Sequence, residues 1–317
     1  MTLGTSQYAY ALIQEVLSEQ RALGMDALRL ASTLSEQNER LEQRLTDLLH
    51  LVADAAPTPA APPASARVTV SCLGTFTVVV DDKLIENWRA GKTRTLFQYL
   101  VLHRAQTVSR DTLIEALWPD PDALAAASSL KVAVHALRQT LRGTGDTDAP
   151  ALTIVPHEAS YQLSAPDLWL DVDEFERLCA LGTRLEATQP EQALALFARA
   201  ADLYRGDLLA DVWDDWVLIP REALKDQYLL ILGHLADAAL ASADYAACVR
   251  RCRQILEHDR CREDAFRTLM LCHGRLGQPS RVRRWFELCE LTLRNGLDVA
   301  PEPATLRVFE AAMHGRD

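Results

Sequence analysis

Aromatic residues are scarce in this chain, 6% of 317 positions, while alanine and leucine abound, a balance that favours helices over sheet. No run of about 18 apolar residues occurs, so no membrane-spanning helix is expected. The first twenty residues carry no basic cluster, and Glu15 and Glu19 interrupt their apolar stretch, so no export signal is expected either. The seven cysteines are an odd number and contain no CxxC pair, which argues for reduced thiols in a cytoplasmic protein rather than a disulfide framework. The phosphate-cradling GxxxxGKS/T and GxGxxG, the nucleophile motif GxSxG and the zinc motif HExxH are all missing, and nothing calls for an enzyme, a cofactor or a metal.

What is present is an ordinary globular mixture, 49% hydrophobic and 24% charged, with a net charge of -11. That sum looks wrong for a nucleic-acid binder until it is divided along the chain. Residues 87–142 hold eight Lys or Arg against four Asp or Glu, a basic island inside an acidic protein.

Four segments follow from the patterning. Residues 1–53 read as helix: Leu34, Leu41 and Leu48 recur every seven residues, with Asn38, Leu45 and Val52 at the other heptad position. Val16, Leu23 and Leu30 repeat in a frame offset by four residues, a stutter. Two readings stay open, a self-associating coiled coil and a helix packed on its own protein. Residues 54–66 (DAAPTPAAPPASA) contain four prolines and read as an extended linker.

Residues 67–167 change character. Two β-branched runs, VTVSCLG and FTVVVDDKLI, turn at Asp81–Asp82 and lead into a helix over 92–104. Ser109 is an N-cap for a helix ending near Trp118–Pro119, a longer helix runs from about Ala123 to Leu141, and LTIVP and YQLS form a hairpin. Strands, helix, helix–turn–helix and hairpin in that order make a winged helix. Residues 168–317 read as entirely helical. Leu235 and Leu269 are 34 residues apart, as are Ala243-Asp244 and Gly277-Gln278, the period of tetratricopeptide helix pairs. The expected fold is therefore mainly α with a small β component.

The third helix of the winged segment carries the chemistry. Leu130, Val134, Leu137 and Leu141 form an apolar stripe, and Lys131, His135, Arg138 and Arg142 repeat that spacing one residue later. Ser128, Val132 and Gln139 lie further round. Lys and Arg pair with guanine edges, Gln with adenine, and Val touches a thymine methyl, so this helix suits the major groove. Lys92, Arg94, Arg104 and Arg110 sit at helix ends, where phosphate contacts commonly arise. His157 marks a hairpin tip without Lys or Arg.

Two further groups stand out. Cys248, Cys252, Cys261, Cys272 and Cys289 cluster in the repeat helices; a metal or redox sensor would use such thiolates, but the plain reading is packing, since cysteine fits as a small hydrophobe at helix crossings. Arg250, Arg251 and Arg253, with Arg281, Arg283 and Arg284, occupy equivalent places in two repeats; solvation is the plain reading, an anionic effector the sharper one. Asp214-Asp215, between Trp213 and Trp216, reads as a polar turn among core tryptophans.

LGTFTVVV-DDKLI, KTRTLFQYLVLH, VSRDTLIEALWPD, SSLKVAVHALRQTL and YQLS resemble the OmpR-like winged helix of SARP-type bacterial activators. DVDEFERL, ALALFARAADLYRGDLLADV and RNGLDVAPEPATLRVFEAA resemble the bacterial transcriptional activator domain that follows it in that family. The likeness covers about residues 67–313 and implies an activator that binds double-stranded promoter repeats, dimerises and contacts RNA polymerase. Carried over by position, Lys131, His135, Arg138 and Gln139 contact bases, while Lys92, Arg94, Arg110 and Arg142 contact phosphates. Asp120 and Asp122 fall where such proteins approach polymerase. Ala133 and Ala136 depart from the family pattern, so no base preference transfers. The alternative is a protein-interaction adaptor whose winged helix no longer binds DNA.

Overall fold

The computed structural model describes residues 62–63, 66–88, 91–119, 123–142 and 151–314, together with Gln37. The N-terminal heptads, most of the proline-rich segment, Asp120, Asp122 and the side chain of Arg142 lie outside the described residues. Met1–Thr58 and Pro59–Asp317 are separate compact units, and the second carries everything that follows.

That unit opens with β1 (Val68–Ser71), β2 (Thr77–Val80) and β3 (Lys83–Leu84). Alternation buries Val68, Val70, Val78 and Val80 on one face. The tight return after β2 places Asp81 and Asp82 at φ of 46° and 62°, a left-handed pair that Asp tolerates better than most residues. Helices α1 (Thr93–Leu102), α2 (Arg110–Leu117) and α3 (Ala123–Arg142) follow, with β4 (Val108–Ser109) before α2. The Ser109 hydroxyl accepts the Thr112 backbone N–H at 3.0 Å, the expected N-cap. Strands β5 (Thr153–His157) and β6 (Ser160–Ser164) form the hairpin, and β4 extends it to three strands in the order β4-β6-β5.

One strand was not visible in the sequence pattern. Leu168–Leu170, at the start of the stretch expected to be entirely helical, is instead β7, and it pairs parallel to β1 so that the first sheet runs β3-β2-β1-β7. Three residues are too few to display a period of two.

From β7 the chain is helical: α4 (Asp171–Leu185), α5 (Pro190–Leu203), a 3-10 turn (Asp215–Val217), α6 (Leu218–Ala241), α7 (Tyr245–His258), α8 (Glu263–Arg275), α9 (Pro279–Leu297) and α10 (Pro303–His314). The pairs α4/α5, α6/α7 and α8/α9 stack in sequence, and α10 covers α8 and α9. The period of 34 is visible in the backbone, because Ala243 and Gly277 take matching positive φ of 58° and 66° after α6 and α8.

Winged helix and helical stack are joined tightly. Leu73 bridges to Leu208, and Leu209 N–H donates to Cys72 C=O at 2.8 Å. Gly74 and Gly206 let the two backbones touch, since a Cβ on Gly206 would lie 3.1 Å from Gly74 Cα. The buried Asp171 carboxylate accepts the N–H groups of Cys72, Leu73 and Val172 at 2.8–2.9 Å. It thereby pins the end of β1 to the start of α4.

Candidate nucleic-acid interface

The site is built on α3. Its stripe Leu130, Val134, Leu137 and Leu141 is buried, and Ala126 and Ala133 are buried beside it. Ala133 thus lies on the packed side of α3, at the edge of a hollow that it lines together with Ser129 and Val132. The opposite face exposes Ser128, Lys131, His135 and Gln139, with Val132 66% and Leu124 86% exposed. An apolar side chain left so far out on an otherwise well-packed helix is informative, because burial would stabilise it by about 1.5–3 kcal/mol. Gln139 and His135 pair at 2.8 Å between Nε2 atoms; an amide nitrogen only donates, so the imidazole accepts. The row therefore presents a cation, a methyl pair, an imidazole and an amide within about three turns of helix.

Arg138 is placed differently. It is half-buried, and its Nε and Nη2 donate to the Ile154 carbonyl of β5 at 3.3 and 3.0 Å. The side chain that continued the basic row in sequence ties α3 to the wing. At the wing tip His157 Nε2 lies 3.3 Å from Gln162 Oε1.

The flanking cations divide. Arg110 is exposed at the start of α2, its guanidinium carbon 5.8 Å from the Tyr161 ring centroid. Lys92 and Arg94 are held by the helical stack: Lys92 Nζ lies 3.2 Å from Asp214 Oδ1, and Arg94 Nη1 lies 2.7 Å from Asp211 Oδ2. Arg94 also sits over the Phe76 ring at 5.1 Å. Arg104 pairs with Asp173. None of these carboxylate partners was legible in sequence, because each lies 69 to 122 residues from its cation. A hollow of about 490 Å³ lined by Lys92, Trp118, Ser128, Ser129 and Val132 places Lys92 at the rim of the exposed face of α3.

Two other expectations meet the structure in the helical stack. Trp213 is 83% exposed, and Trp216 is half-buried, with its ring 5.0 Å from Tyr99, so neither is a fully buried core residue. The cysteines are packed: Cys72, Cys179, Cys248, Cys252, Cys272 and Cys289 are buried, and burial pushes the Cys179 and Cys289 thiols up to about 12. Cys248 and Cys272 Sγ atoms lie 3.0 Å apart. Of the arginines, Arg251 donates to Gln254 at 3.1 Å, Arg253 covers the Trp285 ring at 5.9 Å and Arg284 lies 3.6 Å from Glu287. Arg250, Arg281 and Arg283 are exposed. Burial first, then the nearby charges of Arg281 and Arg253, oppose protonation of the enclosed His273, whose Nδ1 lies 2.9 Å from Gln278 Oε1. Among the described residues no helix is long and apolar enough to cross a membrane.

Comparison with known proteins follows this architecture. Residues 88–159 match the C-terminal domain of transcriptional regulatory proteins, and residues 170–312 match the bacterial transcriptional activator domain. The chain is 26% identical over 245 residues to the transcriptional regulatory protein EmbR of Mycobacterium tuberculosis, covering 77% of this chain and 62% of EmbR. It is also 26% identical to MoaR1 of M. tuberculosis (69% of this chain, 70% of MoaR1) and to the regulatory protein DnrI of Streptomyces peucetius (67% and 80%). The solved structure of M. tuberculosis EmbR in complex with a low-affinity phosphopeptide shares the fold, with a TM-score of 0.65 at 23% identity over 80% of this chain and 66% of that one. The chain thus carries the winged helix of transcriptional regulatory proteins followed directly by a bacterial transcriptional activator domain, and the relatives it resembles are SARP-type transcriptional regulators.

Proposed function

We propose that this protein is a cytoplasmic transcriptional activator that lays α3 in the major groove of promoter DNA. The observation that carries the reading is the exposed row Lys131, Val132, His135 and Gln139, backed by a buried stripe and set between a capped α2 and a three-stranded wing. Lys131, His135 and Gln139 read base edges, and Arg138 holds the wing in register with them. Arg110, at the N-terminus of α2, contacts a phosphate, and Arg142 contacts another. Binding as a homodimer to repeated sites, and contact with RNA polymerase through Asp120 and Asp122 or the helical stack, complete the reading. The finer proposal of control by a small anion rests on Arg253 and Arg281, whose charges both oppose protonation of the buried His273, with Arg250, Arg251, Arg283 and Arg284 nearby in sequence.

Fluorescence anisotropy with the duplex from the gene's own upstream region, beside a scrambled duplex, at two salt concentrations, tests the central claim. Preferential binding that weakens with salt is expected. Absence of binding to both would leave the adaptor reading, checked by capture of a protein partner without nucleic acid. A thermal-shift screen of phosphorylated metabolites tests the effector: stabilisation lost in the Arg253→Ala/Arg281→Ala variant is expected.

A further inference from the structure

Two of the cations placed at DNA phosphates are already engaged by carboxylates of the same chain. Asp211 and Asp214 lie between α5 and the 3-10 turn, and they hold Arg94 and Lys92 at 2.7 and 3.2 Å. The segment that presents them is fixed. The nearly buried Arg221 of α6 donates to the carbonyls of Leu208, Leu209 and Val212 at 2.8, 2.6 and 2.7 Å, and Leu209 is held at φ of 45°. The Leu73–Leu208 bridge anchors the same segment to the winged helix. Asp214 reaches the rim of the recognition face, because its partner Lys92 lines the hollow against Ser128, Ser129 and Val132 of α3.

A carboxylate presents to a cation what a phosphate presents, two oxygens sharing one negative charge. Both pairs are about a third exposed on either side (Lys92 38%, Asp214 26%; Arg94 37%, Asp211 45%), so water and salt reach them and a polyanion can displace them. We infer that Asp211 and Asp214 form a built-in stand-in for the DNA backbone, which occupies Lys92 and Arg94 until a duplex seated by the base contacts of α3 displaces it. The effect is to suppress binding to unmatched DNA, where backbone charge supplies nearly all the affinity. The inference rests on the DNA-binding reading above.

The test uses the full chain and the same two duplexes across a salt series. Asp211→Asn/Asp214→Asn keeps shape and removes charge; Glu191→Gln/Glu257→Gln, on exposed carboxylates of α5 and α7, removes equal charge elsewhere. The first pair is expected to tighten binding roughly tenfold to the scrambled duplex and less to the native one, as two ion pairs of this exposure allow. It is also expected to steepen the dependence of log K on log salt by roughly 1.8, about 0.9 for each phosphate gained. Asp214→Asn alone gives about half that steepening and guards against a folding defect in the double variant. Unchanged affinity and slope, a gain matched by the Glu191/Glu257 variant, or weaker binding would each overturn the inference; the last would make the pairs a brace that positions the winged helix. If the native chain binds neither duplex and the Asp variant binds, both readings stand; if neither protein binds, both fall.

Discussion

Arg138 and Lys131 show why two cations on one helix face need different experiments. Lys131 is exposed in the row that faces outward, whereas Arg138 spends two donors on one carbonyl of the wing. Lys131→Ala is expected to leave the melting temperature unchanged and to narrow the preference for native over scrambled duplex by about 1–3 kcal/mol, the value of a good base contact. Arg138→Ala should lower thermal stability by about 1–2 kcal/mol, with both duplexes weakened as the wing loosens. Anisotropy and melting on the same two variants separate the roles, and a selective loss of discrimination without a stability change in Arg138→Ala would return it to the bases. Asp171 supplies a second test at this scale. Burial lifts its carboxyl to about 6 against three N–H donors that pull it down, from 3.8 in the unfolded chain. Between those values the folded protein keeps a proton that the unfolded chain has released, so this group's contribution to stability is full below pH 4. It declines as pH rises through 6, by at most about 3 kcal/mol, and is flat above pH 7. Urea unfolding between pH 4 and 7 should show that slope, and Asp171→Asn should lose it while being less stable throughout.

Single elements were legible where they are long and periodic. The stripe at Leu130, Val134, Leu137 and Leu141 identified α3 and its buried face, and Ser109 marked the start of α2. Strand β7 escapes the pattern because three residues carry no period, and the exposure of Trp213 escapes it because an aromatic beside acidic residues gives no sign of its facing. The repeat of 34 proved more than a likeness of letters. Ser242 and Leu276 end their helices, and the next residues, Ala243 and Gly277, both adopt the left-handed conformation that closes the turn. Alanine is strained there by its Cβ, so one of the two equivalent turns carries a cost that the other avoids. Ala243→Gly is expected to raise stability by about 0.5–1 kcal/mol, and Gly277→Ala to lower it by about 1 kcal/mol. Opposite signs in paired urea titrations would verify the equivalence; a loss from both would show that Ala243 contributes packing that outweighs its strain.

At the scale of the whole unit, what the sequence hid is the joint between its parts. Composition and motif order separate a winged helix from a helical stack, yet Pro59–Asp317 is one compact body, and the contacts that make it so pair residues far apart in the chain. Asp171 pins the end of β1, Leu73 meets Leu208, and Arg94, Lys92 and Arg104 reach Asp211, Asp214 and Asp173. None of these is encoded by local propensity; beside them the backbones at Gly74 and Gly206 approach so closely that neither has room for a Cβ without a shift. A joint of this kind makes the two parts unfold together, since releasing either exposes the buried carboxylate and the Leu73–Leu208 contact. Calorimetry of the native protein should therefore show residues 66–314 melting in one transition, with calorimetric and van't Hoff enthalpies in agreement for that unit. Gly206→Val sets a branched side chain against the Gly74 backbone, which has no side chain to yield, and is expected to split that transition into two while each part keeps its helical circular dichroism. The same variant separates Asp211 and Asp214 from their cations, so its DNA affinity should rise together with the loss of cooperativity. A single transition retained in Gly206→Val would mean that the two parts are held by the helical packing alone and that the glycine pair is incidental.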